Sequence, residues 1–82
     1  MYSLIIVEDD DNIRNGLVHL FPWENCGFYI AGDFSNGSQA WRFLEENPQI
    51  NAVMTDIRMS VMDGLELAQR IYEQLPKIAV FF

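Results

Sequence analysis

The chain has 82 residues, enough for one small domain, and half of them are hydrophobic, which is a globular composition. Twelve acidic residues against five Lys and Arg give a net charge of −7, which excludes nucleic acid and anionic membranes as direct partners of this segment. No apolar run approaches the roughly 20 residues of a membrane-spanning helix. A lone cysteine, Cys26, is typical of a reducing compartment, so we expect a cytoplasmic location.

Four short apolar segments alternate with three helical patterns. The predicted strands are Ser3–Val7, Phe28–Ala31, Ala52–Thr55 and Ile78–Phe82. The predicted helices begin at Asp10 or Asp11, at about Ser38 and after Gly64, and each ends next to a proline, namely Pro22, Pro48 or Pro76. The order β-α-β-α-β-α-β predicts a single α/β domain with a parallel sheet and right-handed crossovers.

Helical spacing also predicts which side chains face the core. The predicted inward residues are Ile13, Leu17, Leu20 and Phe21 in the first helix, Ala40, Phe43 and Leu44 in the second, and Leu65, Ala68, Ile71, Tyr72 and Leu75 in the third.

The last predicted strand has no loop or helix after it. Three helices barely cover both faces of four strands, and an apolar edge strand invites pairing with another chain. We therefore expect residues 1–82 to be the N-terminal part of a longer domain and to self-associate through this strand or the uncovered faces. We also expect Trp23, Trp41 and Phe81-Phe82 to be partly exposed.

Acidic side chains follow two of the predicted strands. Glu8 and Asp9 come after the first strand and Asp56 after the third, so the three carboxylates converge if these strands are neighbours about 4.8 Å apart. Clustered carboxylates repel one another unless a cation lies between them. Hard oxygen ligands suit Mg²⁺ or Mn²⁺. The alternative from these residues alone is a solvated loop that caps a helix.

Three motifs together resemble the receiver domain of two-component response regulators. They are Leu4–Asp10 (LIIVEDD), Val53–Met59 (VMTDIRM) and Met62–Leu67 (MDGLEL), and the resemblance extends over the whole chain. It implies a flavodoxin-like receiver fold of three layers with strand order 2-1-3-4-5. In this chain the fold would be incomplete, with the order β1-α1-β2-α2-β3-α3-β4.

The resemblance also implies roles for individual residues. Asp56 matches the phosphoacceptor and a metal ligand, Asp9 matches the acid that binds Mg²⁺ directly, and Glu8 stands where the family usually has Asp and reaches the metal through water. The backbone carbonyl of Arg58 matches the third protein ligand. Met62-Asp63-Gly64 matches the turn that shapes the loop beyond the site.

The chain departs from the family pattern in two ways. Ser60 stands where the family usually has proline, which predicts a looser loop. The Ser or Thr after strand four and the Lys after strand five, which contact the phosphoryl group in the family, would lie beyond Phe82. The resemblance therefore implies a chain with the acceptor and metal half of the site but without its switch half.

The resemblance favours a regulatory phosphoacceptor over a turnover enzyme, with a sensor histidine kinase as its partner. Phe21-Pro22-Trp23 and Asn36-Gly37 resemble regulators with a C-terminal helix-turn-helix output domain, to which any DNA binding would belong. One alternative is a pseudo-receiver that acts only as an interaction module. Another is a Mg²⁺-dependent aspartyl-phosphate phosphohydrolase, which places a second acid two residues after its nucleophile, where this chain has Arg58.

Overall fold

A computed structural model describes all 82 residues and contains one parallel sheet of four strands. The strands are β1 (Tyr2–Val7), β2 (Phe28–Phe34), β3 (Ala52–Thr55) and β4 (Ala79–Phe81). The helices are α1 (Asp11–Leu20), α2 (Gly37–Glu46) and α3 (Gly64–Gln74), with a short 3-10 helix at Trp23–Cys26. The spatial order is β2-β1-β3-β4, as the family resemblance implies, so β1 and β3 are neighbours.

Helices cover the two faces of the sheet. Because side chains alternate along a strand, Ile5 and Val7 of β1 join the larger core cluster with residues of α2 and α3. Leu4 and Ile6 join a second cluster against which Leu17 of α1 packs. The predicted three-layer α/β architecture is thus confirmed. Each of the helices falls short of the length and apolar character that crossing a bilayer requires.

Each of the three α-helices begins with a side chain that caps it. The Oδ1 atoms of Asp10, Asn36 and Asp63 accept hydrogen bonds from the backbone N–H three residues later, at 3.0, 2.9 and 2.9 Å. Such caps satisfy backbone donors that have no partner in the first turn. Of the two residues predicted for the start of the first helix, Asp10 is the N-cap and Asp11 is the first residue of α1.

Strand β2 is longer than predicted and contains an irregularity. It continues beyond Ala31 to Phe34, because pairing with β1 outweighs the weak strand propensity of Gly32 and Asp33. Leu4 pairs with Ile30 and Ile5 with Gly32, so Ala31 is an extra residue in β2. Such a bulge reverses the alternation of side chains after it.

The predicted inward face of α3 is partly wrong. Leu65 and Tyr72 are 57% and 79% exposed, whereas Leu67 is fully buried beside Ile71. Two stripes at helical spacing share Ile71, and spacing alone does not select between them. Gly64 lies against the backbone of Asp56, and this contact fixes how α3 is turned toward the sheet.

Several other apolar side chains also differ from prediction. In the first helical segment, Leu17 packs on the sheet, but Ile13, Leu20 and Phe21 are exposed. Trp41 is only 6% exposed because it lies in the core between α2 and the sheet, so its predicted partial exposure is wrong.

The other aromatic predictions are confirmed. Trp23 is half-buried and donates its indole N–H to the carbonyl of Leu17 at 2.6 Å. Phe81 and Phe82 are both exposed, as expected for side chains at the end of an edge strand.

Candidate functional site

The three predicted acids meet where β1 and β3 end. Val7 pairs with Thr55, and Glu8 and Asp56 follow these residues directly. One carboxylate oxygen each from Glu8, Asp9 and Asp56 lies within 4.8 Å of the others. The backbone N–H of Asp56 donates to the carbonyl of Val7 at 3.1 Å. Parallel pairing of the two strands therefore creates the acidic cluster.

The carboxylates of this cluster have different surroundings. Glu8 is 8% exposed, and its Oε2 accepts a hydrogen bond from the backbone N–H of Asp10 at 3.0 Å. Asp56 is exposed, and its Oδ1 accepts from the backbone N–H of Ile57 at 2.8 Å. Its Oδ2 accepts no hydrogen bond from the protein. Asp56 therefore presents a fixed carboxylate with one oxygen open to an incoming group.

Burial raises the pKa of Glu8, because a charge in a buried site loses hydration. The N–H of Asp10 lowers this pKa by stabilising the ionised form, whereas a hydrogen bond with Asp9 and the charges of Asp56 and Asp9 raise it. The net shift is upward. Without a cation, negative charge is thus destabilised at this point.

No cationic side chain pairs with these three carboxylates. Both ion pairs of the chain are made by Arg14, and their partners are Asp11 and Asp33. Three hard oxygen donors without a cationic partner form a donor set that suits Mg²⁺ or Mn²⁺. The residues of the site therefore fit a small divalent cation.

Arg58 lies in the loop between β3 and α3, and its side chain is exposed. Its backbone carbonyl accepts no hydrogen bond from any other residue, so the oxygen has no competing partner. Its role as a metal ligand stays a prediction.

Gly64 brings the start of α3 against the backbone of Asp56 and Ile57. Its backbone N–H donates to the carbonyl of Ile57 at 2.8 Å, and a Cβ atom at this position would overlap the carbonyl oxygen of Asp56. Met62 has a φ of 49°, a left-handed conformation that non-glycine residues seldom adopt. Met62-Asp63-Gly64 thus forms a sharp turn, and its role in shaping the loop beyond the site stays a prediction.

The same loop contacts the start of α2. The backbone N–H of Gly37 lies 3.1 Å from the carbonyl oxygens of both Val61 and Met62. A Cβ atom on Gly37 would overlap the carbonyl oxygen of Met62. The sequence around Asn36-Gly37 gives no local sign of this contact, because it joins segments that are distant along the chain.

Two cavities lie on the α1 side of the sheet. One, of about 170 Å³, is lined by Glu8, Asp56 and Phe82 among others. The other, of about 470 Å³, lies beyond the C-terminal end of α1 and includes His19 and Trp23 in its lining. The acidic cluster borders the smaller cavity, so the larger one has no part in the predicted chemistry.

Comparisons with known proteins agree on one family. A family model described as the response regulator receiver domain matches residues 4–82. The response regulator receiver protein CpdR of Brucella abortus is 37% identical over 82 residues, which cover 100% of this chain and 65% of CpdR.

Two solved structures have the same fold. A DNA-binding response regulator of the LuxR family from Staphylococcus aureus is 36% identical with a TM-score of 0.86, covering 98% of this chain and 65% of that one. A chain of the CheX-CheY-BeF3-Mg²⁺ complex from Borrelia burgdorferi is similar, at 29% identity and a TM-score of 0.82, and the match covers 96% of this chain and 58% of that one. The chain thus spans less than two thirds of the length of these relatives.

Proposed function

The chain belongs to the response regulator receiver domain family, and we propose that its Asp56 accepts a phosphoryl group from a sensor histidine kinase. The observation that carries the proposal is the convergence of Glu8, Asp9 and Asp56, with ligand oxygens within 4.8 Å of one another. Because one oxygen of Asp56 is fixed by the N–H of Ile57 and the other is open, this exposed carboxylate is suited to attack.

Glu8, Asp9, Asp56 and the carbonyl of Arg58 are the groups that would hold Mg²⁺ or Mn²⁺. When bound, the ion supplies positive charge that offsets repulsion between a carboxylate and a phosphoryl group. The lack of a cationic partner for the cluster supports this assignment. The Borrelia complex contains Mg²⁺ together with BeF3, which supports the same choice of ion.

The proposed transfer forms one bond and breaks one. The open oxygen of Asp56 forms an O–P bond while the P–N bond of the donor phosphohistidine breaks. The imidazole keeps the electron pair of that bond and takes up a proton. Asp56 acts as the nucleophile, and Glu8 and Asp9 remain carboxylates throughout.

Intact mass after incubation with a small phosphodonor and Mg²⁺ tests the proposal. The wild-type chain should gain one phosphoryl group, and neither Asp56→Asn nor the wild type with a chelator should gain any. Glu45→Gln is the matched control, because it changes an exposed carboxylate on α2, outside the cluster. Equal phosphorylation of Asp56→Asn and the wild type would overturn the assignment.

The two alternatives predict different results in the same experiment. A pseudo-receiver would gain no phosphoryl group, despite an intact cluster. A phosphohydrolase would turn over the phosphodonor many times without accumulating the phosphorylated chain. Arg58 stands where such an enzyme needs its second acid, and its side chain makes no ion pair, so nothing in the site favours hydrolysis.

The output of a complete protein belongs to the same proposal. The similar Staphylococcus aureus protein is a DNA-binding response regulator, and this chain covers 65% of its solved chain. We propose that residues 1–82 serve as the N-terminal part of a receiver domain whose phosphorylation controls transcription through an output domain. The acidic surface of this segment supports assigning DNA contacts to such a domain.

A further inference from the structure

Arg14 lies beside the acidic cluster but contacts none of its three carboxylates. Its guanidinium makes three hydrogen bonds, each to a different segment of the chain. Nη1 donates to the backbone carbonyl of Glu8 at 2.8 Å, Nη2 to Oδ1 of Asp11 at 2.7 Å, and Nε to Oδ2 of Asp33 at 3.0 Å. The side chain of Arg14 is only 15% exposed, so these charge-assisted hydrogen bonds are partly shielded from water.

The bulge in β2 places Asp33 on the face of the sheet where it contacts Arg14. Before Ala31, the residues of β2 that share a face with α1 are Phe28 and Ile30. Continued alternation would turn Asp33 to the opposite face, together with Ala31, which packs in the larger cluster. The extra residue instead pairs Asp33 with Ile6 on the α1 face, where its carboxylate meets Arg14.

Glu8 is consequently held at three points. Its backbone N–H donates to the carbonyl of Phe34 at 3.0 Å, and its backbone carbonyl accepts from Arg14. Its side chain accepts from the N–H of Asp10. Since Asp9 follows Glu8 directly, fixing the Glu8 peptide also restricts where the Asp9 carboxylate can lie relative to Asp56.

We propose that Arg14 is a positioning residue for the divalent cation, holding the segment of Glu8 and Asp9 in place by its fork of hydrogen bonds. This inference rests on the proposed function of the cluster. Arg14 also pairs with Asp11 and Asp33, two acids outside the cluster, so the three proposed ligands remain unpaired. Groups that orient metal ligands typically change metal affinity by about 10- to 100-fold when they are removed.

A simple charge effect predicts the opposite change in Mg²⁺ affinity. A positive guanidinium near a bound cation repels it, so loss of that charge alone would tighten Mg²⁺ binding. Arg14→Lys keeps the charge but cannot reproduce a planar fork that reaches three acceptors. Arg14→Gln removes the charge and most of the hydrogen bonds. The two variants together separate positioning from charge.

Calorimetric titration of the purified chain with Mg²⁺ provides the test. We expect both Arg14→Lys and Arg14→Gln to raise the dissociation constant for Mg²⁺ about tenfold, in line with other groups that orient ligands. The matched control is Arg70→Lys, on the exposed surface of α3, which should leave the constant unchanged. Wild-type affinity in Arg14→Lys, or tighter binding in Arg14→Gln, would overturn the proposal.

Two further measurements keep the result interpretable. Thermal unfolding of each variant without metal establishes that it is folded at the temperature of titration. If the Arg14 variants are unfolded at that temperature, Asp33→Asn provides a second test, because it weakens the hydrogen bond between Arg14 and Asp33. High salt screens the effect of the lost charge, so a change in Mg²⁺ affinity that comes from positioning must persist at high ionic strength. An effect of Asp33→Asn that salt abolishes would contradict positioning.

Failure of the proposed function has its own signature. A wild-type chain that binds no Mg²⁺, or an Asp9→Asn variant that binds as tightly as the wild type, would overturn the metal site and this inference with it. Normal binding by the wild type, weakened by Asp9→Asn but not by Arg14→Lys, would overturn the role of Arg14 alone.

Discussion

Gly64 packs directly on the carbonyl oxygen of Asp56, so closely that a Cβ atom at position 64 would overlap that oxygen. The N–H of Gly64 also donates to the carbonyl of Ile57. The first residue of α3 therefore rests on the backbone of the proposed phosphoacceptor, and the helix cannot shift without moving that backbone.

Replacement of Gly64 by alanine should destabilise the chain by about 2 kcal/mol, because the added methyl group meets a backbone atom that has no room to move. Gly16→Ala is the control, since a Cβ atom there has nothing within 4 Å. Because alanine is favoured over glycine inside a helix, Gly16→Ala should stabilise the chain by about 0.5–1 kcal/mol. Urea unfolding measures both, and equal effects of the two substitutions would contradict the packing argument.

Asp63 should stabilise α3 through its capping hydrogen bond to the N–H of Glu66. We expect Asp63→Ala to cost about 1 kcal/mol and Asp63→Asn to cost much less, because asparagine keeps an oxygen that accepts the same hydrogen bond. For a domain of this size, 1 kcal/mol lowers the melting temperature by about 4–8 °C. Identical melting temperatures for the two variants would show that the cap contributes nothing.

The raised pKa of Glu8 makes the stability of the metal-free chain depend on pH. In the window above the ordinary value of 4.5 and up to the raised value, the folded chain binds more protons than the unfolded chain. The free energy of unfolding therefore falls as pH rises through that window. Above the window the full loss of stability due to Glu8 is present.

Glu8→Gln should remove this pH dependence and stabilise the metal-free chain at neutral pH, because it eliminates a buried charge but keeps an acceptor for the N–H of Asp10. Urea unfolding at a series of pH values measures the effect. The exposed Glu24→Gln variant should retain the wild-type profile. A wild-type profile in Glu8→Gln would assign the dependence to another group.

The free edge of β4 should make the chain self-associate. Backbone groups on one side of this strand pair with β3, and the other side has no neighbouring strand. Phe81 and Phe82 are exposed at its end. Light scattering over a range of concentrations should show oligomers that Phe81→Lys reduces, because a charge on an edge strand opposes pairing. A wild-type monomer at every concentration would contradict this expectation.

Local sequence patterns predicted the helices and strands well, because the residues that determine each of them lie close together in the chain. The apolar run of β3 and the proline that follows α1 required no knowledge of distant contacts. The neighbouring positions of β1 and β3, and hence the meeting of Glu8 with Asp56, came from the family resemblance.

Contacts between distant segments were not predictable from local patterns. Arg14 is six residues from Glu8 and 19 from Asp33, so no local sequence pattern connects its side chain with either residue. The burial of Trp41 depends on how α2 packs on the sheet, which helical spacing does not specify. The extension of β2 reflects pairing with β1 rather than the propensities of its own residues.

Strand β2 has seven residues where β1 has six, and the bulge at Ala31 takes up the difference. If β2 kept all seven residues in regular alternation, the carboxylate of Asp33 would turn into the apolar layer beneath α2 and the ring of Phe34 toward α1. Every residue of the strand would remain, yet both side chains would face the wrong environment. The point at which β2 departs from regular pairing is therefore as much a requirement of this fold as the composition of the strand.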